Sequence, residues 1–379
     1  MVIPTLCIGL SLVAPAKKVI MAHYMPWYAA KPFHSEWGWH WTMNHFSADM
    51  GELASHFHPL IGPYDSQDPD VIEYHLLTMK LAGIDGVLVD WYGIDNLYDY
   101  PEVHKASQMV FAATKKFGMK FGVVYEDQTL KSLIEKGVVK SDNAVETGQK
   151  TMQWLNKNWF KGSNYLQANG KPTLLVFGPQ FYKDDDWSKM LVGINVSFFT
   201  LHHRRAGAIG AYDWPIPGGG NVGSEKERLA FLERAKEWPS YITAAYPRFV
   251  DIYGQAGMKS YGTITDNSGE TYKQTLTDAL QGNAPVIQIA TWNDWGEGTQ
   301  IEPSIEFGMR DLEVTQKLRR RYLEPSFPGT VNDLSFPKRL FQLRKDARVP
   351  KKDLDRAADL LARRQIGKAS DILGSVGDK

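Results

Sequence analysis

Residues 286–303 read VIQIATWNDWGEGTQIEP, an apolar run that passes directly into tryptophan, amide and carboxyl side chains. A short apolar run bounded in this way predicts a buried strand. If that strand belongs to an α/β barrel, the reacting groups follow the strand ends. Asp294 and Glu297 stand at that position, and two acidic residues among tryptophans, glycines and amides are hard to explain by folding alone. We therefore predict that Asp294 and Glu297 are catalytic.

Similar apolar runs precede this one, and segments with helical spacing of apolar residues separate them. The eight predicted strands cover residues 19–24, 86–90, 121–125, 173–177, 196–201, 208–212, 241–245 and 286–290. Helices are predicted over residues 70–81, 144–159 and 225–237. Strands that alternate with helices in this number predict a (β/α)8 barrel of the TIM type. The proline and glycine residues at 215–220 predict an irregular loop, either a lid or a surface connection.

The chain has 379 residues, which suits one barrel with additions better than two domains. We assign residues 17–330 to the catalytic barrel and residues 331–379 to a basic, helical C-terminal extension. Residues 1–16 hold an apolar run that ends in Ala14-Pro15-Ala16, which favours a signal peptide and a secreted protein, extracellular or periplasmic. No basic residue precedes that run, so a buried first segment of the barrel is the alternative.

The balance of charge excludes one class of partner. Lys plus Arg equals Asp plus Glu at 43 each, so the surplus of positive charge that binds nucleic acid is missing. No apolar run has the length of a membrane span. One cysteine, Cys7, excludes an internal disulfide, and no motif has the spacing of metal ligands or of a phosphate-binding loop. We predict a monomer with no metal and no cofactor.

Aromatic residues point to the substrate. The chain contains 12 Trp and 17 Tyr, many of them in short clusters with polar residues. Aromatic faces beside polar groups suit the faces and hydroxyl rims of sugars, so the predicted substrate is an oligosaccharide or polysaccharide. Core packing is an alternative explanation for any single residue of the set. The candidate substrate contacts are Tyr24, Trp27, Tyr28, His34, Glu36, His40, Trp91, Glu126, Tyr246, Trp292 and Trp295.

The two candidate catalytic carboxyls fit the hydrolysis of a glycosidic bond. One carboxyl group must protonate the departing oxygen, and a second must stay ionised to activate water or assist attack on the anomeric carbon. Two close carboxyls beside aromatic walls acquire different pKa values. Glu297 reaches out after Gly296 and is the candidate acid, whereas Asp294 is shorter, lies nearer to the strand end and is the candidate base.

Four stretches spread over residues 19–310 together resemble the glycoside hydrolase family 99 and family 71 group. They are Tyr24-Met25-Pro26-Trp27-Tyr28, Gly62-Pro63-Tyr64-Asp65-Ser66 with Asp68-Pro69, Gly83-Ile84-Asp85-Gly86 through Trp91-Tyr92-Gly93, and Glu297-Gly298-Thr299-Gln300-Ile301-Glu302. The resemblance implies a (β/α)8 barrel that hydrolyses α-linked glycans. Family 99 in particular implies cleavage inside chains that contain α-mannose.

Position 294 departs from the family 99 pattern, which has a glutamate there and a second glutamate three residues later. Asp294 followed by Glu297 is similar to the family 71 pattern of α-1,3-glucanases. Family 99 implies retention with participation of the sugar 2-hydroxyl and family 71 implies inversion, so the stereochemical outcome stays open. A family 71-like α-1,3-glucanase and a carbohydrate-binding barrel without activity are the alternatives to an endo-α-mannosidase-like enzyme.

Overall fold

The computed structural model describes residues 18–377, and the predicted signal peptide lies outside the described residues. Eight parallel strands form its centre: β1 (Val19–Tyr24), β2 (Gly86–Trp91), β3 (Lys120–Tyr125), β4 (Lys171–Val176), β5 (Ser197–Leu201), β6 (Gly210–Tyr212), β7 (Ile242–Ala245) and β8 (Val286–Ile289). They are ordered β3-β2-β1-β8-β7-β6-β5-β4, and the pairing of β3 with β4 closes the ring. The predicted (β/α)8 barrel is confirmed.

Each predicted strand is present, and most bounds differ by only one or two residues. β6 begins at Gly210, later than the predicted residue 208. Its first residue lies very close to the backbone of Ser240, just before β7. A Cβ atom at Gly210 would lie 1.8 Å from the backbone oxygen of Ser240, so only glycine permits this approach. Two further pairings are short: Gln167–Ala168 runs antiparallel to the start of β4, and Phe249–Val250 pairs with Thr263–Ile264.

Helices surround the barrel and continue beyond it. They are α1 (Trp39–Thr42), α2 (Pro69–Ala82), α3 (Tyr100–Lys116), α4 (Thr129–Glu135), α5 (Ala144–Asn158), α6 (Asp184–Met190), α7 (Gly220–Ala235), α8 (Glu270–Gln281), α9 (Arg310–Tyr322), α10 (Phe336–Arg344), α11 (Lys351–Ala362) and α12 (Ile366–Gly377). Asp68 caps α2 by accepting a hydrogen bond from the Asp70 N–H at 2.9 Å. The predicted start of α7 at 225 is wrong: Gly219, with φ of 87°, leads directly into a helix that begins at Gly220.

The alternation of side chains along the strands determines what faces the barrel interior. Apolar side chains fill the interior and a second set packs between strands and helices. The interior set includes Met21, Leu88, Val124, Leu175, Phe199 and Tyr212. The same alternation continues to the strand ends, so the side chains of His23, Asp90 and Glu126 belong to the interior, and those of Tyr24, Trp91 and Tyr125 pack outward.

The C-terminal helices α10 and α11 pack against α2, and α12 packs against α10 and α11. Arg344 of α10 donates to both carboxylate oxygens of Glu73 on α2, at 2.9 and 3.0 Å. Lys345 reaches Asp68 and Asp70 at the start of the same helix, at 2.7 and 2.8 Å. Within residues 18–377 there is no helix with the length and apolarity of a membrane span.

Candidate active site

A cavity of about 870 Å³ opens at the carboxyl ends of the barrel strands. Six carboxyl groups line it, those of Asp90, Asp99, Glu126, Glu135, Asp294 and Glu297. Its walls are mainly aromatic, with polar side chains between the rings. The principal wall residues are Trp27, Tyr28, Trp39, His40, Tyr92, Tyr98, Phe177, Trp214, Tyr253 and Tyr261. In residues 18–377 no group of three or more His, Cys, Asp or Glu side chains is arranged to hold a metal ion.

The loop after β8 carries the two predicted catalytic residues into this cavity. Its turn is closed locally, because the backbone N–H of Asp294 donates to Thr291 Oγ1 at 2.8 Å. The backbone N–H of Glu297 then donates to Asp294 Oδ1 at 3.0 Å. Asn293 lies just before Asp294. Its side chain accepts a hydrogen bond from the backbone N–H of Met25 at 2.8 Å and donates one to the Met25 backbone oxygen at 2.9 Å. The loop after β1 therefore positions the loop after β8.

The opposite side of the same loop is anchored in a buried network around Glu302. Its carboxylate accepts a hydrogen bond from Tyr64 Oη at 2.7 Å and lies 3.0 Å from His75 Nε2. Trp295 is fully buried and donates from its indole to Tyr64 Oη at 3.2 Å. Asn293 donates to the same hydroxyl at 3.0 Å. One tyrosine thus joins three residues of the loop.

A buried arginine holds the far end of the loop. Arg248 is 1% exposed and donates to the backbone oxygen of Gln300 at 2.6 Å. Two carboxylates neutralise its charge, Asp266 at 3.1 Å and Asp311 at 3.2 Å. Its guanidinium also lies 3.8 Å from the centroid of the Phe307 ring. A buried cation with this many partners is a rigid support for the loop.

The two loop carboxyls have different electrostatic environments. Burial raises the pKa of Asp294 to about 6, while the backbone N–H groups of Glu297 and Gly296 oppose that rise by binding its anion. Burial and the charges of Asp294 and Asp251 raise the pKa of Glu297 well above its ordinary value, and a long hydrogen bond from Tyr253 Oη, 3.5 Å, opposes them weakly. The larger rise favours the protonated form of Glu297, whereas a pKa of about 6 leaves Asp294 mainly an anion near neutral pH, as an acid and a base require.

The structure brings four of the predicted substrate contacts to the cavity: Trp27, Tyr28, His40 and Glu126. The Trp27 indole stacks on His40 with ring centroids 4.1 Å apart and planes at 7°. Burial lowers the pKa of His40 to about 3, so this ring is neutral and extends the aromatic wall. Tyr28 supports the catalytic loop as well, because its hydroxyl donates to the backbone oxygen of Asn293 at 2.8 Å.

The other predicted contacts do not line the cavity. Tyr24 and Trp91 end their strands on the outward face, where the tyrosine hydroxyl lies 3.0 Å from His75 Nδ1 and the indole donates to His104 at 3.1 Å. Trp292 and Trp295 are buried under the loop they belong to. Three more have polar partners outside the cavity: Tyr246 is hydrogen-bonded to Ser224, His34 is hydrogen-bonded to Asp65, and the solvent-exposed Glu36 forms an ion pair with Lys31.

Several cavity residues escaped the set of predicted contacts. Asp90, Tyr92 and Trp214 stand at predicted strand ends, so the inward or outward alternation of each strand was the signal that could have found them. Tyr253 and Tyr261 lie in the loop after β7, where no periodicity marks them. Only the folded chain brings Tyr253 within reach of Glu297.

A (β/α)8 barrel with two neighbouring carboxyl groups at its carboxyl face is an arrangement that glycoside hydrolases use. No family model matches the chain. Its sequence is similar to glycoprotein endo-alpha-1,2-mannosidase from Mus musculus, 23% identical over 333 residues that cover 79% of this chain and 70% of that protein. An endo-alpha-1,2-mannosidase-like protein from Danio rerio is 23% identical over 280 residues, 67% of this chain and 60% of its own length.

The fold is similar as well. The glycoside hydrolase family 99 endo-alpha-mannosidase from Bacteroides thetaiotaomicron aligns with a TM-score of 0.62 and 19% identity, over 81% of this chain and 97% of that one. A glycoside hydrolase-like protein aligns with a TM-score of 0.57 and 15% identity, over 85% and 97% of the two chains. The predicted resemblance to family 99 is thereby confirmed.

Proposed function

We propose that the chain is an endo-acting glycoside hydrolase that cleaves an α-mannoside-type glycan, with Glu297 as acid and Asp294 as base. The observation that carries the proposal is the Asp294–Glu297 pair, one buried and one partly buried carboxyl with pKa values raised to different extents in one aromatic cavity. The similarity to endo-alpha-mannosidases supports the choice of substrate. All other steps of the mechanism follow from what these two groups do near neutral pH.

In the proposed reaction Glu297 donates its proton to the glycosidic oxygen while the bond to the anomeric carbon breaks. The departing sugar thus leaves as a neutral alcohol. Asp294, as an anion, takes a proton from the group that attacks the anomeric carbon. In the first route that group is a water molecule; in the second it is a hydroxyl of the same sugar, which forms an intermediate. The first route inverts the configuration. The second retains it by two inversions: water then attacks the anomeric carbon, Glu297 takes a proton from that water, and Asp294 returns its proton to the sugar oxygen as the intermediate opens.

Exposed aromatic side chains at the edge of the cavity support cleavage inside a glycan chain. Trp39, Tyr98 and Tyr261 line the cavity, are 40%, 64% and 61% exposed, and come from the loops after β1, β2 and β7. Exposed rings on three loops offer contacts to a glycan that extends past the sugar at the catalytic pair. Trp39→Ala is expected to raise KM for a long glycan about fivefold, since one aromatic contact is worth about 1 kcal/mol. It should leave KM for a disaccharide unchanged; equal effects on both would contradict the extended site.

A family 71-like α-1,3-glucanase is the second candidate, favoured by aspartate at position 294. A panel of α-mannans, α-1,3-glucans and uronic or sulfated polysaccharides separates the candidates when released oligosaccharides are followed by chromatography. We expect release from an α-mannan, with Asp294→Asn and Glu297→Gln each about 10²–10⁴-fold slower. Glu36→Gln is the matched control, because that carboxyl is exposed and does not line the cavity. Full activity of Glu297→Gln would refute the assignment, and binding without turnover would favour the non-catalytic barrel.

A further inference from the structure

The loop after β7 contains a hairpin that carries two residues of the cavity. Phe249–Val250 pairs antiparallel with Thr263–Ile264, so residues 251–262 connect the two short strands. Tyr253 and Tyr261 belong to this 251–262 connection, and both line the cavity. Their rings are in edge-to-face contact, with centroids 5.7 Å apart. The connection therefore presents one aromatic unit to the cavity from its two ends.

The first end of the connection is fixed to the loop after β8. The backbone N–H of Val250 donates to the carbonyl oxygen of Glu297 at 2.8 Å, and that of Ile252 donates to the carbonyl oxygen of Gly296 at 3.0 Å. Tyr253 follows directly, and its hydroxyl reaches Glu297 Oε1 at 3.5 Å. Two backbone hydrogen bonds thus hold this end of the connection in place relative to the candidate acid.

The second end of the connection is held by one side chain, that of Asp251. This residue is 9% exposed, and its Oδ2 accepts hydrogen bonds from the Ser260 hydroxyl at 2.9 Å and from the Tyr261 backbone N–H at 2.8 Å. Ser260 Oγ in turn accepts from the Gly262 N–H at 3.2 Å. Within residues 18–377 the other carboxylate oxygen, Oδ1, has no hydrogen-bond partner. Every hydrogen bond that this carboxylate accepts in the described chain therefore comes from the Ser260–Tyr261 turn.

Stability alone does not explain Asp251, because a buried carboxylate with an unpaired oxygen is costly. The turn that it holds lies at the surface, where Tyr261 is 61% exposed. Exposed turns with few buried contacts are ordinarily mobile. A mobile ring must be ordered when a ligand binds, and that ordering reduces affinity, whereas a ring already held in place avoids the loss.

We infer that Asp251 is a positioning residue, whose carboxylate closes the 251–262 connection and holds the Tyr261 ring in place to stack on a sugar of the glycan. Because Tyr253 contacts both Glu297 and Tyr261, the stacked sugar lies beyond the one at the candidate acid. Asp251 thus affects the binding of long glycans more than the chemistry at the cleaved bond. The sugar-binding half of this inference rests on the proposed function; the positioning of the turn does not.

The positioning can be measured without any substrate. Cys7 is the one cysteine of the chain, so Cys7→Ser with Lys259→Cys creates a single site for a nitroxide spin label next to the turn. We expect restricted label mobility in this protein and clearly higher mobility after Asp251→Ala, because two hydrogen bonds to the turn are lost. Asp251→Asn should stay close to the parent protein, since its amide oxygen can accept both. Equal mobility in the parent protein and in Asp251→Ala would overturn the inference.

Two further variants control for folding. Ser260→Ala removes one of the two hydrogen bonds and keeps Asp251, so it should raise label mobility to an intermediate value. If Asp251→Ala does not fold, an unchanged label in Ser260→Ala overturns the inference in its place. Asp333→Ala is the matched control for loss of a buried aspartate that holds a turn. Asp333 is 8% exposed, accepts from the Thr330 N–H at 2.8 Å and does not line the cavity, so we expect no change in label mobility.

The effect on sugar binding is tested by kinetics on a long glycan and a disaccharide. For the long glycan we expect Asp251→Ala and Tyr261→Ala each to raise KM about fivefold, with kcat nearly unchanged. The double variant should raise KM no further, because both changes remove the same ring contact. KM for the disaccharide should stay unchanged in all three variants. Additive effects, or a lower kcat with an unchanged KM, would refute positioning of Tyr261.

The two measurements separate this inference from the proposed function. If no glycan is hydrolysed, the proposed function fails together with the sugar-binding half, and label mobility still decides whether Asp251 positions the turn. If hydrolysis occurs but Asp251→Ala changes neither label mobility nor KM, the inference alone fails.

Discussion

Glu297 and Glu302 belong to one loop, yet the molecule treats the two carboxyl groups in opposite ways. Glu302, at 2% exposure, accepts from Tyr64 at 2.7 Å and has the imidazole of His75 at 3.0 Å. Glu297 faces the cavity, and the protein donor it has is the hydroxyl of Tyr253 at 3.5 Å. On the outer side of the loop Glu302 therefore has two close partners, while on the inner side Glu297 has one long hydrogen bond.

The difference shows how the fold supports a reactive group. A buried acid without partners is unfavourable in its ionised form, and this is the property that keeps a proton available for catalysis. The cost can be borne because the neighbouring residues of the loop are fixed independently, through Tyr64 on one side and Arg248 on the other. We therefore expect replacements on the outer side of the loop to lower stability and replacements on the inner side to lower activity.

The largest difference should appear in stability. Glu302→Ala removes the acceptor of Tyr64 and His75 in a fully buried site, so we expect the free energy of unfolding to fall by about 3–5 kcal/mol. Glu297→Ala should leave it unchanged or raise it, because an unfavourable buried acid is removed. Denaturant unfolding of both variants measures the contrast. An equal decrease in the free energy of unfolding in the two variants would show that both sides of the loop contribute to stability alike.

The second contrast lies in the pH dependence of stability. The unfolded chain releases the Glu297 proton near the ordinary pKa of 4.5, whereas the folded protein keeps it to higher pH because burial raises the pKa. Stability from this group is therefore lost as pH rises above 4.5, by up to about 1.4 kcal/mol per pH unit. Relative to wild type, Glu297→Gln should become more stable as pH rises above 4.5. A constant difference in melting temperature over this range would contradict a raised pKa.

The catalytic side should also set the acid limb of activity. Asp294 must be ionised to act as base, and burial raises its pKa to about 6. We expect kcat/KM to fall tenfold per pH unit below about pH 6. Glu36→Gln, with its exposed carboxyl, should show the same profile. Activity that stays level down to pH 4.5 would remove Asp294 from the role of base.

The smallest effect concerns Tyr253. Its hydroxyl hydrogen bond lowers the pKa of Glu297, so Tyr253→Phe should raise that pKa and move the alkaline limb of kcat/KM to higher pH. The rate at the optimum should change less than about tenfold, because a long hydrogen bond contributes little. Tyr261→Phe, which alters the neighbouring ring without a bond to Glu297, is the matched control. A shift to lower pH in Tyr253→Phe would mean that the hydroxyl stabilises the protonated acid instead.

The sequence determined the barrel and the position of the candidate pair, Asp294 and Glu297, at the end of its last strand. Apolar run length and the order of strands and helices are local properties, which is why all eight strands were predicted and Asp294 and Glu297 followed from the end of the last one. The proline and acid at the start of α2 are likewise local signals.

Only the tertiary structure decided which strand-end residues face the cavity and in which direction their pKa values shift. Trp91 and Asp90 are neighbours in the chain, and the side alternation of β2 sends the first outward and the second inward. Asp90 and Glu126 line one cavity because their two strands pair, and Tyr253 meets Glu297 because a distant loop folds over. The pKa of a carboxyl depends on burial and on charges from other strands, and no local pattern of residues contains that information.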